Sequence, residues 1–184
     1  MSLYKRIAEA WKTGGMRARM IDWRKEPSTI RIPKPTRLDR ARELGYTAKP
    51  GVIVVRQRVI RGGRQRPDIK GGRRSKHARQ RKILGMSYQH VAERRAAGKF
   101  PNMEVLNSYF VGKDGIHFWY EVIMADKMHP ALASDKQLSW LIGHQNRVMR
   151  GLTSAAKKSR GLRNKGFGAE KLRPSMRAHQ RKGK

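Results

Sequence analysis

The sequence predicts an α+β protein, in which helices pack on a small, mainly antiparallel sheet and long basic, non-globular extensions leave the body. Three observations predict this class. Residues 51–60, 103–111 and 116–125 are rich in β-branched and aromatic side chains and flanked by turn signals, as strands are. Stretches around them carry apolar residues at helical spacing. The 44 Lys and Arg residues far outnumber the 13 Asp and Glu residues, giving a formal net charge of +31.

Two helices are predicted in the first third of the chain. Near the start, apolar residues recur at the spacing of one helical face, at Tyr4, Ile7, Ala8 and Trp11. A second helix is predicted within residues 36–45, where Thr36 and Asp39 fit a capping box and Gly45 stands at the position of a C-cap.

The middle of the chain predicts the sheet. Residues 51–60 form one strand, and the Asp114-Gly115 pair predicts a hairpin turn between the other two. The last strand has apolar residues on both faces: Phe118, Tyr120, Val122 and Met124 on one, Trp119 and Ile123 on the other. Apolar content on both faces indicates a strand that is covered on both sides.

Two more helices are predicted beside these strands. Residues 87–98 fit a helix that ends at Gly98. Residues 134–143 fit another, with Ser134 and Gln137 as a capping box. Together, residues 1–184 form a single domain with a modest apolar core.

That core is too small to order two basic regions, residues 61–82 and 143–184. Residues 56–82 hold one acid, Asp68, and residues 136–184 hold one, Glu170. We therefore expect residues 61–82 to form a basic loop and residues 143–184 a basic C-terminal extension. Both are predicted to act as nucleic-acid-binding arms, because a polyanion relieves their self-repulsion.

Glycine next to arginine is the motif of both regions, as in "RGGRQRP" (61–67), "GGRR" (71–74) and "MRGLTSAAKKSRGLRNKG" (149–166). Glycine permits close approach to a phosphate, and arginine bonds to phosphate oxygens through two donors or stacks on bases. A flexible turn with solvated charges, or a disordered tail that binds any anion, is the alternative reading. The predicted RNA-binding residues are Arg56, Arg58, Arg61, Arg64, Arg66, Arg73, Arg74, Arg150, Lys157, Lys158, Arg160 and Arg163.

Other classes of function lack a signal in the sequence. No cysteine is present, no P-loop or nucleophile elbow appears, and no histidine pair has zinc spacing, so we expect no catalytic residue, metal or cofactor. The six histidines are expected at the surface or on RNA. The opening residues are too polar for a secretory leader, and no apolar run approaches the roughly 18 residues of a membrane span.

The four tryptophans differ in their surroundings. Trp11 and Trp119 lie in patterned elements and are expected in the core. Trp23 stands among charged residues and is the tryptophan most expected to be exposed, where it could stack on bases.

Four segments, in this order, closely resemble the archaeal and eukaryotic large-ribosomal-subunit protein fifteen-e family. They are "YKRIAEAW" (4–11), "KPTRLDRARELGYTAKPGVIVVRQRVIRGGRQRP" (34–67), "LNSYFVGKDGIHFWYEVIMAD" (106–126) and "RGLTSAAKKSRGL" (150–162). Residues 71–85 depart from the family pattern, and the chain ends earlier than eukaryotic members do. This shorter form resembles archaeal members, which implies a cytoplasmic protein.

The resemblance implies a structural constituent of the large ribosomal subunit. Its partners would be large-subunit rRNA and neighbouring ribosomal proteins, with no membrane, no small-molecule substrate and no homo-oligomer. Composition alone also allows a free-standing protein that condenses DNA or RNA. An RNA-modifying or RNA-cleaving enzyme would need a cofactor loop or an acid–base cluster, and neither is visible in the sequence.

Overall fold

The computed structural model describes residues 2–13, 16–65, 71–72, 81–82 and 84–169. It contains helices and a four-stranded antiparallel sheet, which confirms the predicted α+β class. In chain order the elements are α1 (Leu3–Thr13), α2 (Met16–Lys25), β1 (Thr29–Ile32), α3 (Leu38–Glu43), β2 (Val52–Ile60), β3 (Arg64–Gln65), β4 (Arg81–Lys82), α4 (Tyr88–Lys99), β5 (Met103–Lys113), β6 (His117–Asp126), α5 (Pro130–Ala133), a 3₁₀ helix (Ser139–Leu141) and α6 (Ser154–Ser159).

The main sheet has the strand order β1-β2-β6-β5, so β5 lies at one edge. Strand β2 pairs with β6 from Val52 opposite Ala125 to Ile60 opposite His117. The predicted hairpin between β5 and β6 is confirmed; β5 extends two residues beyond the predicted 103–111, and β6 is shifted by one residue from the predicted 116–125. Its turn is closed by the Asp114 carboxylate, which accepts the N–H groups of Ile116, at 2.7 Å, and His117.

Both faces of the sheet are covered, as the alternation in the last strand predicts. Helix α4 covers one face, where buried side chains of β2, β5 and β6 meet Ala92 and Ala96. On the other face, Trp119 and Ile123 pack with residues of α2 and α3. Trp119 is therefore in the core as predicted, and Trp11 packs against that core while only partly buried.

Trp23 is buried, and the expectation that it is exposed is wrong. Its side chain is only 7% exposed, and its ring lies 5.9 Å from that of Trp119. It belongs to α2, a helix the sequence did not predict because charged residues surround this single aromatic anchor and no apolar stripe forms. The short edge strand β1 was also not predicted.

Both predicted capping boxes are wrong, because their polar side chains have other partners. Thr36 donates through its hydroxyl and its N–H to the Glu121 carboxylate, and α3 begins only at Leu38. The predicted helix at 134–143 is replaced by turns and by the short 3₁₀ helix Ser139–Leu141. Ser134 closes α5, and the Asp135 carboxylate accepts the N–H of Gln137 at 2.9 Å.

Part of the basic C-terminal extension is packed on the body, although the sequence predicts no packing for it. Residues 143–169, here called the C-terminal segment, bury Val148, Thr153, Ala155 and Ala156, and α6 contacts both α4 and β5. Small side chains make this possible because they allow backbone to approach backbone without a large apolar residue. Residues 170–184 lie outside the described part of the chain.

Less of the basic loop is described. Strands β3 and β4 pair Arg64 with Lys82 and Gln65 with Arg81 at the two ends of the loop. Between them the structure describes only residues 71–72, so most of the predicted loop lies outside the described residues. No helix within the described ranges is long and apolar enough to cross a bilayer.

Candidate nucleic-acid interface

The basic loop begins with a cation that is exposed yet held in place. Arg61 follows β2 and donates from Nη1 to the carbonyl oxygen of Asp114 at 2.8 Å. Its guanidinium lies 5.1 Å from the centroid of the Phe118 ring, within the range of a cation–π contact. The next residue, Gly62, has a φ of +95° and donates its N–H to the Tyr88 hydroxyl at 2.8 Å. The start of the loop is thus fixed to the β5–β6 turn and to α4.

Helix α6 sorts its residues into a buried and an exposed face. Ala155 and Ala156 are buried, whereas Lys157 and Lys158 are exposed. Thr153 caps the helix by accepting the N–H of Ala156 at 3.3 Å. The alternation of small and cationic residues therefore has a structural cause: the small residues face the body and the lysines face solvent.

Gly151 also serves the fold of this segment. Its φ is +75°, and an added Cβ would lie 2.8 Å from Cδ of Arg160. Arg160 folds over this glycine and donates from Nη1 to the Gly151 carbonyl at 3.2 Å. Arg150 and Arg163 are exposed, and Arg163 donates to the hydroxyl of Ser154.

Two buried carboxylates hold the C-terminal segment to the body. Glu93 of α4 accepts from the hydroxyl groups of Ser108 and Thr153, both at 2.5 Å. Glu104 of β5 accepts the backbone N–H groups of Asn146, at 2.6 Å, and Arg147, at 3.1 Å. A buried carboxylate is costly unless it is fully hydrogen-bonded, so the contacts with Asn146, Arg147 and Thr153 specify where the segment lies.

On the face of the sheet that α2 and α3 cover, Glu121 of β6 is a third buried carboxylate that holds a distant segment in place. It accepts from Thr36 and from the Tyr109 hydroxyl. Burial raises the pKa of Glu121, and its hydrogen bonds with Thr36 and Tyr109 oppose that rise. The pKa of Glu93 is also raised by burial, against hydrogen bonds from Ser108 and Thr153.

Arg56 and Arg58, both predicted to bind RNA, point to the α2 side of β2. Arg56 is only 8% exposed, its guanidinium lies 4.3 Å from the centroid of the Trp23 ring, and it is ion-paired with Glu26. Arg58 is partly buried and donates to the carbonyl oxygen of Arg24 at 2.6 Å. Arg56 thus has internal partners that account for its position.

The remaining predicted cations fall into two groups. Arg64 is exposed on β3. Arg66, Arg73 and Arg74 lie outside the described residues, so the structure does not place them.

The two basic regions, far apart in sequence, meet at the start of α4. Tyr88 contacts Gly62 of the basic loop. The preceding residue, Ser87, donates its N–H to the hydroxyl of Ser159 in α6 at 3.0 Å. The exposed cations of both regions therefore flank one continuous part of the surface.

A cleft at the edge of β5 adds two cations that the sequence did not single out. Its volume is about 340 Å³, and it is lined by Arg37 and Arg40 from around α3 and by Lys158 and Arg163 from around α6. More than a hundred residues separate these pairs in the chain, so no local pattern could join them. Only the common contact of α3 and α6 with β5 brings them together.

The histidines take mainly structural positions. His90 is buried, contrary to the expected surface position, and burial lowers its pKa. His117 lies 3.5 Å from the Asp114 carboxylate, and His129 accepts the N–H of Ala131 at 3.2 Å to cap α5. Across the described ranges, no three His, Cys, Asp or Glu side chains are grouped to hold a metal ion.

Comparison with known proteins gives two extended matches. The sequence model of a family described as Ribosomal L15 matches residues 2–179. The large ribosomal subunit protein eL15 of Methanocella arvoryzae is 53% identical over 193 aligned positions, which cover 100% of this chain and 98% of that protein. The similarity therefore includes the sheet, the basic loop and the C-terminal segment.

The internal position of Arg56 predicts a loss of stability on its replacement. We expect Arg56→Ala to lower the free energy of unfolding by about 1–3 kcal/mol, because Glu26 and Trp23 both lose a partner. Arg58→Ala, two residues along the same strand, is the matched control and is expected to cost less than 1 kcal/mol or so. Urea denaturation measures both. Equal losses would contradict an internal role specific to Arg56.

The raised pKa of Glu93 predicts a pH-dependent effect. A carboxyl whose pKa is raised by folding stabilises the folded state below its unfolded pKa, and that contribution is lost as the pH rises through the folded value. Glu93→Gln removes this titration and keeps a similar shape. The variant's free energy of unfolding, relative to the natural protein, is therefore expected to increase as the pH rises above the ordinary value of 4.5.

Urea titrations at a series of pH values from about 4 to 7 check this expectation. Ser108→Ala serves as the control, because it removes a hydrogen bond to the same carboxylate without removing the titrating group. A difference between Glu93→Gln and the natural protein that stays constant across the series would show that Glu93 does not titrate abnormally.

Proposed function

The chain belongs to the ribosomal L15 family, and we propose that it is a structural constituent of the large ribosomal subunit that binds folded rRNA through its basic segments. The family assignment confirms the resemblance found in the sequence. It gives the protein a place in the cytoplasmic ribosome, with rRNA and other ribosomal proteins as partners. No catalytic step is part of this role.

The proposal that the protein binds RNA is supported by the way in which acidic and basic side chains are divided between the interior and the surface. Most acidic side chains in the described part of the chain accept hydrogen bonds or ion pairs from inside the protein; examples are Glu93, Glu104 and Glu121. Ion pairs do involve the exposed cations Arg24, Arg40 and Lys49, but no acidic side chain in the described part of the chain is ion-paired with Lys157 or Lys158. An external polyanion has to balance these cations, and rRNA is the polyanion of the ribosome.

The meeting of the two basic regions at Ser87 and Tyr88 supports binding by one surface. Cations held on a folded surface lose little further backbone entropy when they meet phosphates. A chain that orders only on binding loses about 1–2 kcal/mol of backbone entropy per residue. The packed C-terminal segment therefore binds with a smaller entropic cost than a disordered tail of the same composition.

Phosphate contacts make binding depend on salt. Each neutralised phosphate releases counterions, so the slope of log K against log salt falls by about 0.7–0.9 per contact. Arg61 and Arg64 lie at the described start of the basic loop, and Arg66 follows them.

Replacing Arg61, Arg64 and Arg66 together with Ala is expected to weaken rRNA binding and to flatten its salt dependence by up to roughly two to three units of slope. Filter binding or fluorescence anisotropy over a range of salt concentrations measures this. The control replaces Lys5, Arg6 and Lys12, exposed on α1, and so removes the same charge. An equal change of slope in both variants would contradict a specific contribution from the loop.

Co-sedimentation tests the function as a whole. The protein is expected to sediment with the large subunit in a one-to-one ratio and to stay bound through a moderate salt wash. A protein that condenses nucleic acid would instead spread over all RNA and DNA in the gradient. That distribution would overturn the proposed function.

A further inference from the structure

The cleft at the edge of β5, here called the edge cleft, has features beyond its positive charge. The consecutive residues 107–110 of β5 line it, between α3 on one side and α6 on the other. Its volume of about 340 Å³ is at the lower end of the range for small-ligand pockets, about 300–1,000 Å³. It is large enough for one nucleotide and too small for a duplex.

Two β-bulges bound the stretch of β5 that lines the cleft. The register between β5 and β6 shifts between Val105 and Asn107 and again between Phe110 and Gly112, so that residues 106 and 111 are extra. Bulges twist an edge strand away from further pairing and change the direction of its side chains. The stretch between them is therefore presented to a ligand and protected from pairing with another strand.

Phe110 supplies an open aromatic ring in this cleft. Its side chain is 43% exposed although its ring contacts Phe118 and Tyr120, at centroid distances of 6.2 and 5.8 Å. Phe118 is itself stacked on Tyr88 at 4.9 Å. The ring is thus held from behind and free in front. A fixed, half-exposed aromatic ring is the usual platform for an unstacked base.

The charge around this ring is positive on both sides. Lys158 and Arg163 lie toward α6, and Arg40 and Arg37, the latter ion-paired with Asp39 at 2.8 Å, lie toward α3. Among the residues that the structure describes, no acidic side chain lines the cleft. The ion pair of Arg40 with Glu43 is exposed and so adds little stability. Arg40 can therefore leave the Glu43 carboxylate and bind a phosphate instead at a small cost in free energy.

An amide completes the set of groups. The side-chain oxygen Oδ1 of Asn107 accepts the N–H of Ser108 at 3.0 Å, and the side-chain nitrogen Nδ2 bonds to none of the described residues. A free amide donor in the lining of the cleft can bind the edge of a base. An acidic peptide would match the cations but would make no specific use of an open aromatic ring.

We propose that the edge cleft holds one unpaired nucleotide of the bound RNA, with its base on the open face of Phe110 and its phosphates between Arg40, Lys158 and Arg163. This inference rests on the proposed function, because the nucleotide belongs to the RNA that the basic segments bind. A base inside a regular duplex is stacked and cannot reach the ring. The site thus selects a bulged, looped or junction nucleotide.

Ultraviolet cross-linking tests the proposal. The full-length protein is bound to deproteinised archaeal large-subunit rRNA and irradiated, and the nucleotide adducts are mapped by mass spectrometry after ribonuclease and protease digestion. A nucleotide adduct on Phe110 is expected. Phe110→Leu should lower its yield at least tenfold, and Phe110→Trp, which keeps a ring, should retain an adduct at that position.

The matched control is Phe167→Leu, since Phe167 is fully exposed and lies outside the cleft. It should leave the adduct on Phe110 unchanged. A double variant, Lys158→Gln with Arg163→Gln, removes phosphate contacts without touching the ring, and is expected to lower the yield severalfold. It also serves as the test if Phe110→Leu fails to fold.

Each contrary outcome has a distinct meaning. Adducts on residues 61–65 or 150–163 without one on residues 107–110 would overturn the nucleotide site and leave RNA binding intact. Absence of any adduct, with no binding to the rRNA, would overturn the proposed function itself. In the intact subunit, protection of Lys158 from acetylation that persists after ribonuclease digestion would identify a protein as the occupant and also overturn the site.

Discussion

Buried carboxylates that accept hydrogen bonds from distant segments are the interaction on which this structure depends. Glu93, Glu104 and Glu121 lie on α4, β5 and β6, and each holds an irregular segment against the sheet. Removing a carboxylate from water is costly, and only a full set of donors offsets that cost. The hydrogen-bond donors to these three carboxylates are hydroxyl and backbone N–H groups, and Glu104 is also ion-paired with Lys127 at 3.6 Å. These three acids are thus used inside the protein, and exposed cations such as Lys157 and Lys158 remain at the surface.

This division explains how a strongly basic chain can present an ordered surface. The segment around α6 packs through Thr153 and two alanines, and its lysines face outward. The start of the basic loop is fixed by Tyr88 and by the ring of Phe118. Both regions flank the start of α4, and the edge cleft lies beside α6. A preordered cationic surface of this kind would favour the proposed binding at a defined position on rRNA over non-specific condensation.

The sheet could be predicted from sequence because its signals are local. Alternation along β2, β5 and β6 and an Asp-Gly turn act over a few residues, so the strands and their covered faces were found. The sequence did not predict helix α2 or the burial of Trp23, because no apolar stripe accompanies that single aromatic residue. The four-residue strand β1 was also not predicted. The capping boxes failed for a related reason: Thr36 has a buried carboxylate 85 residues away as its partner.

The sequence by itself determined the excess of positive charge, the need for a polyanion, the α+β class and the resemblance to a ribosomal family, because composition and local pattern are enough for these. Only the tertiary structure decided which cations are free. It placed Arg56 in the interior and Arg61 at the surface, although Arg56 lies in β2 and Arg61 comes directly after the same strand. It also joined Arg40 to Lys158 across one cleft. Burial and proximity depend on residues far apart in the chain, and no reading of neighbouring residues contains that information.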